Sequence, residues 1–283
     1  MTFVIIPYNV TNIGNYAFSA CGLNYISIQR GVISIGEGAF YACDYLSSVL
    51  ISSNVTSIGD NAFGYCNTLT TITVDPANPA FTSLAGVLFS KSQAKLIQFP
   101  GGNAGSYTIP ATVISIGDYS FYGCDSLTNV IVLNNVTNIG NYAFKNSGLI
   151  SVTIGSNVTS IGDMAFNFCS HLTAITVDAA NPAYSSVAGV LLNKSQTTLI
   201  QFPGGKSGSY TIPSNVTSIG DFSFSSCYSL TSVSIGNNVT NIGNEAFKYS
   251  GLTSVTIGNN IASIGSNMFY ASRAPAALSL IHI

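Results

Sequence analysis

The chain has 283 residues, of which only 6% are charged and 47% are hydrophobic, with eight Lys and Arg set against ten Asp and Glu. Low charge with high hydrophobicity excludes intrinsic disorder, and a net charge of −2 offers no basic field for nucleic acid or an anionic membrane. No run approaches the roughly 18 apolar residues that a membrane helix requires, so membrane insertion is not expected.

The chain opens on MTFVIIPYNVTNIG, which lacks a basic leader, a sustained apolar stretch and a small-residue cleavage site, so no export signal is read there. Because it starts directly on what proves to be a repeat strand, we expect a piece of a longer protein. The pattern V-x-x-I-G-x-x-x-F then recurs with its glycine at Gly14, Gly36, Gly59, Gly117, Gly140, Gly162, Gly220, Gly243 and Gly265. The spacing is 22 or 23 residues, broken twice by 58, and a larger period of 103 separates Gly14, Gly117 and Gly220. A period of roughly 20 to 29 residues is that of leucine-rich repeats, in which each unit is one coil of a solenoid buried by its neighbours.

Within each unit the elements can be read in order. Asp60, Asp118, Asp163 and Asp221, or Asn15, Asn141 and Asn244, follow the glycine and precede the phenylalanine. There they could cap a short helical turn. The glycine supplies either a positive φ or room for close backbone approach. The phenylalanines, among them Phe18, Phe63, Phe121, Phe166 and Phe247, should stack as one internal column. Segments such as LTTITV (69–74) and LTSVSI (230–235) alternate apolar and small polar residues, the period of a half-buried strand. The expected fold is an α/β, β-rich leucine-rich-repeat solenoid. It has one parallel β-sheet, short helical turns opposite, 22/23-residue coils and two 35-residue hairpin-bearing coils. Residues 1–283 form a single array, regular over about 3–270, with an irregular tail at 271–283.

Units such as VTSIGDNAFGYCNTLTTITV resemble the BspA-like, or treponemal-type, leucine-rich-repeat family, over residues Phe3 to Ile257. The longer units, such as FTSLAGVLFSKSQAKLIQFPGGNAGSYTIP, are similar to an insertion of that family. The resemblance implies a cell-surface or secreted, non-enzymatic protein of bacteria or parasitic protists that binds or adheres to an extracellular or host protein.

Cys21, Cys43, Cys66, Cys124, Cys169 and Cys227 all lie seven residues after the repeat glycine, where Ser147, Ser250 and Ser272 stand in the other units. A slot that accepts Cys or Ser is small and mostly buried, and only Cys43 with Cys21 or Cys66 could come within bridging reach. No CxxC pair exists and His171 and His282 are far apart, so neither a metal nor a cofactor is expected. PGGKSGS (203–209) suggests a phosphate loop, but PGGNAGS (100–106) occupies the same setting one large period earlier, and a strand rather than a helix follows. Both read as turns. Of the seven sequons, at Asn9, Asn54, Asn135, Asn157, Asn193, Asn215 and Asn238, all but Asn193 belong to the NVT step of the repeat, and a turn role is favoured over glycosylation.

Two surfaces could carry function. On the outward face of the sheet, Ser and Thr columns are interrupted by Tyr25, Leu50 and Ile131 and continued by Thr73, Asn129 and Thr153; exposed aromatic and aliphatic anchors are where interface energy concentrates. No charged residue stands in these columns, which argues against acid–base catalysis there. Lys91, Lys95 and Lys194 mark the turns of two hairpins, GVLFSKSQAKLIQFP and GVLLNKSQTTLIQFP, for which covering the sheet edge or the side of the solenoid is favoured over a binding role. The favoured function is a protein-binding or adhesion scaffold. The alternative is a glycan- or lattice-binding solenoid that uses the Thr and Ser columns. Uncapped coil ends also make end-to-end self-association an expectation.

Overall fold

A computed structural model describes residues 4–273; the expected tail falls largely outside them. The chain is a β-solenoid of about 11 turns. It packs as two compact units, the first made of residues 4–128, 135–148 and 160–165, the second of 129–134, 149–159 and 166–273.

In the first unit, the parallel strands Tyr25–Ile28, Ser48–Ile51 and Thr71–Val74 form one ladder, and the two-residue strands Asn12–Ile13, Ser34–Ile35 and Ser57–Ile58 form a second. The alternation follows from side-chain chemistry. Ile26, Ile28, Val49, Ile51 and Ile72 point inward and are at most 1% exposed, while Ser27, Leu50 and Thr73 point outward in register. The second unit repeats the plan with Ser151–Ile154 and Ala174–Val177 beside Asn129–Val132, and with Gly208–Thr211, Leu230–Ile235 and Ser254–Ile257. The expected single parallel sheet is therefore several shorter ones.

The expected helical turns are absent: the described residues contain no helix. Between the two strands of each coil, the residues two and six after the repeat glycine are left-handed, as at Tyr16 and Ala20 (both φ 56°), Asn61 and Tyr65, and Tyr142 and Asn146. Alternating donors explain this conformation. The N–H groups of Tyr16, Phe18 and Ala20 donate to the carbonyls of Glu37, Ala39 and Tyr41 in the next coil, while those of Ala17, Ser19 and Cys21 close tight turns onto Gly14, Tyr16 and Phe18. A helix would satisfy only its own chain, whereas this arrangement gives half of the donors to the neighbour. The Asp and Asn side chains cap across coils in the same way. Asn15 Oδ1 accepts from the N–H of Glu37 (2.9 Å), and Asp221 Oδ1 from that of Asn244 (2.7 Å).

The repeat glycine works by close approach rather than by positive φ. A Cβ at Gly36, Gly140 or Gly243 would lie 2.5 or 2.6 Å from a backbone nitrogen of the preceding coil. The phenylalanines stack as expected, with Phe18–Phe40 at 5.3 Å, Phe121–Phe144 at 4.8 Å and Phe224–Phe247 at 4.9 Å. Phe99 and Phe202, which no repeat glycine precedes, take the same slot and stack on Phe121 and Phe224 at 5.1 and 5.0 Å. The cysteines donate to carbonyls one coil back, Cys43 to Phe18 and Cys66 to Phe40 at 3.0 and 3.1 Å, and all six are free thiols.

The long units hold three strands where two-stranded hairpins are expected, and they cover the sheet edge as read. Phe81–Leu84, Val87–Ser90 and Lys95–Gln98 form three antiparallel strands, and the last pairs in parallel with Ser115–Ile116. Val87, Leu88 and Phe89 are at most 1% exposed, so the hairpin is part of the core. Its Ala85–Gly86 turn meets the free edge of Thr71–Val74: the N–H of Ile72 donates to Gly86 and that of Val74 to Ser83 Oγ. The second copy does the same with Ile175 and Gly189 and with Val177 and Ser186. Each hairpin covers a sheet edge that would otherwise expose unpaired donors.

Candidate interaction surface

The residues expected on the sheet face do point outward, but they fall in separate units. In the first, Leu50 stands between Ser27 and Thr73, and Tyr25 is in register with Ser48 and Thr71. Leu50 is 36% and Tyr25 42% exposed. In the second, Ile131 is in register with Thr153 and Thr176, and Asn129 with Ser151, whose hydroxyl donates to Asn129 Oδ1 at 2.8 Å. Hydroxyl-to-side-chain bonds of this kind, repeated by Ser232 and Ser209 at 2.7 Å, join the coils through their side chains.

The hairpin lysines are less available than their sequence position implies. Lys91 Nζ donates to the carbonyl of Pro76 at 3.0 Å, and Lys194 Nζ to that of Ala179 at 2.9 Å. Each pins its KSQ turn to the loop before the hairpin. Lys95 instead lines a cavity of about 270 Å³ in the first unit, shared with Asp60, Asn61, Ser90, Gln98 and Asp118. The phosphate-loop look-alikes are packing turns. A Cβ at Gly101 or Gly204 would lie 2.9 or 2.8 Å from the carbonyl of Cys66 or Cys169, so the glycines are needed for contact with the previous coil.

A third surface, unread in the sequence, lies on the turn side of the first unit. Tyr65 meets Tyr122 edge-on at 4.9 Å and Tyr41 at 5.6 Å. Tyr119 is edge-on to Tyr122 at 5.5 Å and stacks on Tyr142 at 4.9 Å. Lys145 Nζ sits 5.0 Å from the Tyr142 ring centre and 5.9 Å from that of Tyr122, within cation–π range. All five tyrosines are half-buried. Burial, joined by the neighbouring tyrosines, raises the Tyr122 phenol well above its ordinary pKa, and burial also raises Tyr119. At the end of this row, Tyr16 Oη donates to Glu37 Oε1 at 2.5 Å, which raises the Tyr16 pKa. These residues stand two, five or six positions after the repeat glycine, so no single repeat position shows the cluster; only the turn conformation brings them together. The second unit has a smaller counterpart, in which Lys248 lies 5.3 Å from both Tyr249 and Tyr270 and pairs with Glu245 at 2.6 Å.

Among the described residues no three His, Cys, Asp or Glu side chains are grouped to hold a metal, and no helix is long and apolar enough to cross a membrane. What the surfaces offer is rigid aromatic area with a hydroxyl rim, hydroxyl-lined sheet and few charges, which suits recognition more than bond-making.

The model of the BspA type leucine rich repeat region matches residues 1–105, 98–204 and 201–277. The chain is similar to the crystal structure of a leucine rich cell surface protein from Faecalibacterium prausnitzii, with 28% identity and a TM-score of 0.61, over 93% of this chain and 68% of that one. It is also similar to a leucine-rich repeat protein from Eubacterium ventriosum, with 25% identity and a TM-score of 0.52, over 86% and 68%. No curated protein matches. With the family model covering nearly the whole chain and the coil geometry in agreement, the chain belongs to the BspA-type leucine-rich-repeat family.

Proposed function

We propose that this chain is a non-enzymatic, cell-surface adhesion scaffold that binds an extracellular or host protein, and that the tyrosine cluster of the first unit is its principal contact. The observation that carries the reading is the cluster itself: Tyr41, Tyr65, Tyr119, Tyr122 and Tyr142, packed ring against ring and half-exposed. Rings already locked by their neighbours lose little side-chain entropy on binding, and tyrosine combines apolar area with a hydrogen-bonding tip. The surface location is carried over from the F. prausnitzii relative, which is described as a cell surface protein. The sheet faces around Tyr25, Leu50, Thr73, Asn129, Ile131 and Thr153 are a secondary contact, and the pinned Lys91 and Lys194 contribute least.

The test is binding of the purified chain to immobilised extracellular-matrix proteins and glycans at low and high salt. Saturable, salt-tolerant binding to a protein should be lost on the combined change Tyr41→Ala, Tyr119→Ala and Tyr122→Ala. It should be weakened less by Tyr25→Ser, Leu50→Ser and Ile131→Ser. Binding to glycans alone, lost with the sheet-face changes, would replace this reading with the glycan-binding one.

A further inference from the structure

Inside the first unit, the coil of Gly59 meets the coil of Gly117 across the first long unit, and their contact is incomplete. On the coil of Gly36, the N–H groups of Gly38, Phe40 and Ala42 donate to the carbonyls of Asp60, Ala62 and Gly64; on that of Gly117, those of Tyr119, Phe121 and Gly123 donate to Asn141, Ala143 and Lys145. On the coil of Gly59 only the last of the three donors does so, Tyr65 N–H reaching the Tyr122 carbonyl at 3.5 Å. The N–H groups of Asn61 and Phe63 have no acceptor among the described residues, and the Ser120 carbonyl, which would face Phe63, is taken by Phe99 N–H at 2.8 Å. The aromatic column is interrupted at the same place. Phe63 stacks on Phe40 at 5.5 Å and Phe99 on Phe121 at 5.1 Å, but Phe63 and Phe99 make no ring contact. The cavity of about 270 Å³ lies here, with Phe63, Phe81 and Ile97 as its apolar lining.

Its polar lining offers both donors and acceptors. The donors are Lys95 Nζ and the N–H groups of Asn61 and Phe63; buried backbone donors without a partner are rare in folded proteins. The acceptors are Asp60, Asp118 and Gln98. Gln98 is only 4% exposed, and its side-chain nitrogen donates to the carbonyls of Phe99 and Ser120 at 3.1 and 3.4 Å, which leaves Oε1 without a donor. Asp118 holds Asn141 N–H through Oδ1. Neither Lys95 nor Asp60 forms an ion pair or a side-chain hydrogen bond among the described residues. The repeat does not impose this lining, because one large period later Thr198 stands in place of Lys95 and Met164 in place of Asn61.

We propose that this cavity binds a small zwitterion of the amino-acid class, a free α-amino acid or a dipeptide. Its carboxylate accepts from Lys95 and from the N–H groups of Asn61 and Phe63, its ammonium donates to Asp60, Asp118 and Gln98, and a short apolar side chain meets Phe63, Phe81 and Ile97. Both charged ends are needed: an anion alone would leave the carboxylates unmatched, and an amine alone would leave the backbone donors unpaired. The volume sets the size, since pockets for drug-sized ligands begin at about 300 Å³. The site does not depend on the tyrosine cluster or on any host protein.

The test is ligand-observed NMR of the full chain with a panel of free α-amino acids and dipeptides, followed by calorimetric titration of those that bind. At least one apolar member should bind saturably with a Kd below about 10 mM, and its N-acetyl and carboxamide derivatives should bind about tenfold more weakly or worse. Lys95→Thr and Asp60→Asn change exposed side chains that hydrogen-bond to nothing in the fold, and each should weaken binding about tenfold or more. Their urea midpoints should equal that of the wild type, showing that the coils are intact. Whichever class binds more tightly, amino acid or dipeptide, identifies the source of the zwitterion. Absence of binding across the whole panel overturns the proposal, as does binding that survives both substitutions or that is as tight for the N-acetyl derivative.

Discussion

Asp118 accepts, through Oδ1, the backbone N–H of Asn141 at 2.7 Å, and Asn141 accepts that of Asp163 through its own Oδ1 at 2.9 Å. Each side chain thus fastens the coil after it, although its place in the sequence resembles a helix cap. Asp118→Ala should lower the unfolding free energy by about 1 kcal/mol, the usual worth of such a bond, while Asp118→Asn, which keeps the acceptor, should cost little. Urea denaturation of the two variants separates the acceptor from the charge.

The aromatic column gives the largest expected effects. Phe121→Ala removes a ring that stacks on both Phe99 and Phe144 and should cost about 3 to 5 kcal/mol. Phe99→Ala should fall in the same range, because Phe99 is 3% exposed and fills the same slot in a long unit. A loss below about 1 kcal/mol at Phe99, by denaturant midpoint, would show that the long units do not continue the column.

Thiol reactivity should sort the cysteines by position. Cys21, partly exposed in the first coil, should label in the native protein. Cys124 and Cys227 are buried and pushed well above the ordinary thiol range by desolvation, and Cys66 is pushed up by its hydrogen bond with Cys43 and by burial. These should label only on unfolding. Labelling followed by peptide mass mapping, with and without denaturant, reads this directly. Equal native labelling of Cys124 and Cys21 would contradict the burial.

Alkaline pH should destabilise the array through its inner tyrosines. Burial pushes the Tyr107 phenol from its ordinary 10.0 up to about 12, and raises that of Tyr210. The folded state therefore holds these protons more tightly than the unfolded state. Stability is intact below about pH 10 and falls as pH rises from there towards about 12, because the unfolded chain ionises first. Tyr107→Phe should flatten that decline. Denaturant midpoints measured from neutral to alkaline pH, with ultraviolet titration of the phenols alongside, provide the check.

Much of the architecture was legible because its determinants recur. Ile-Gly-x-x-x-Phe and the alternating strand name the inward column and the outward hydroxyls, which the structure places as read, while the two roles open to the glycine are decided for close approach only by the neighbouring coil. The turn was misread for a physical reason. Asp or Asn before Ala-Phe is an N-cap signature in local terms, and what decides against a helix is the destination of the Tyr16, Phe18 and Ala20 N–H groups, 21 residues away in the next coil. The strand Phe81–Leu84 was missed because FTSL does not alternate cleanly; its burial runs from buried Phe81 through half-buried residues to exposed Leu84. The tyrosine cluster stayed hidden because its members occupy three different repeat positions. Leu50 and Ile131 were correctly placed outward, but the sequence could not show that Lys91 and Lys194 would be held by nearby carbonyls.

The paired left-handed residues of every coil also govern how the array comes apart. A left-handed backbone disfavours any residue other than glycine, and none of these positions in the nine regular coils is Val, Ile or Thr. A lone coil would bear that penalty without the intercoil hydrogen bonds that offset it, so a coil is stable only beside another. Loss of structure should therefore spread from coil to coil rather than begin within one, with amide hydrogen exchange slowest around Phe121, where the Phe121 N–H donates to Ala143 and the Phe99 N–H to Ser120.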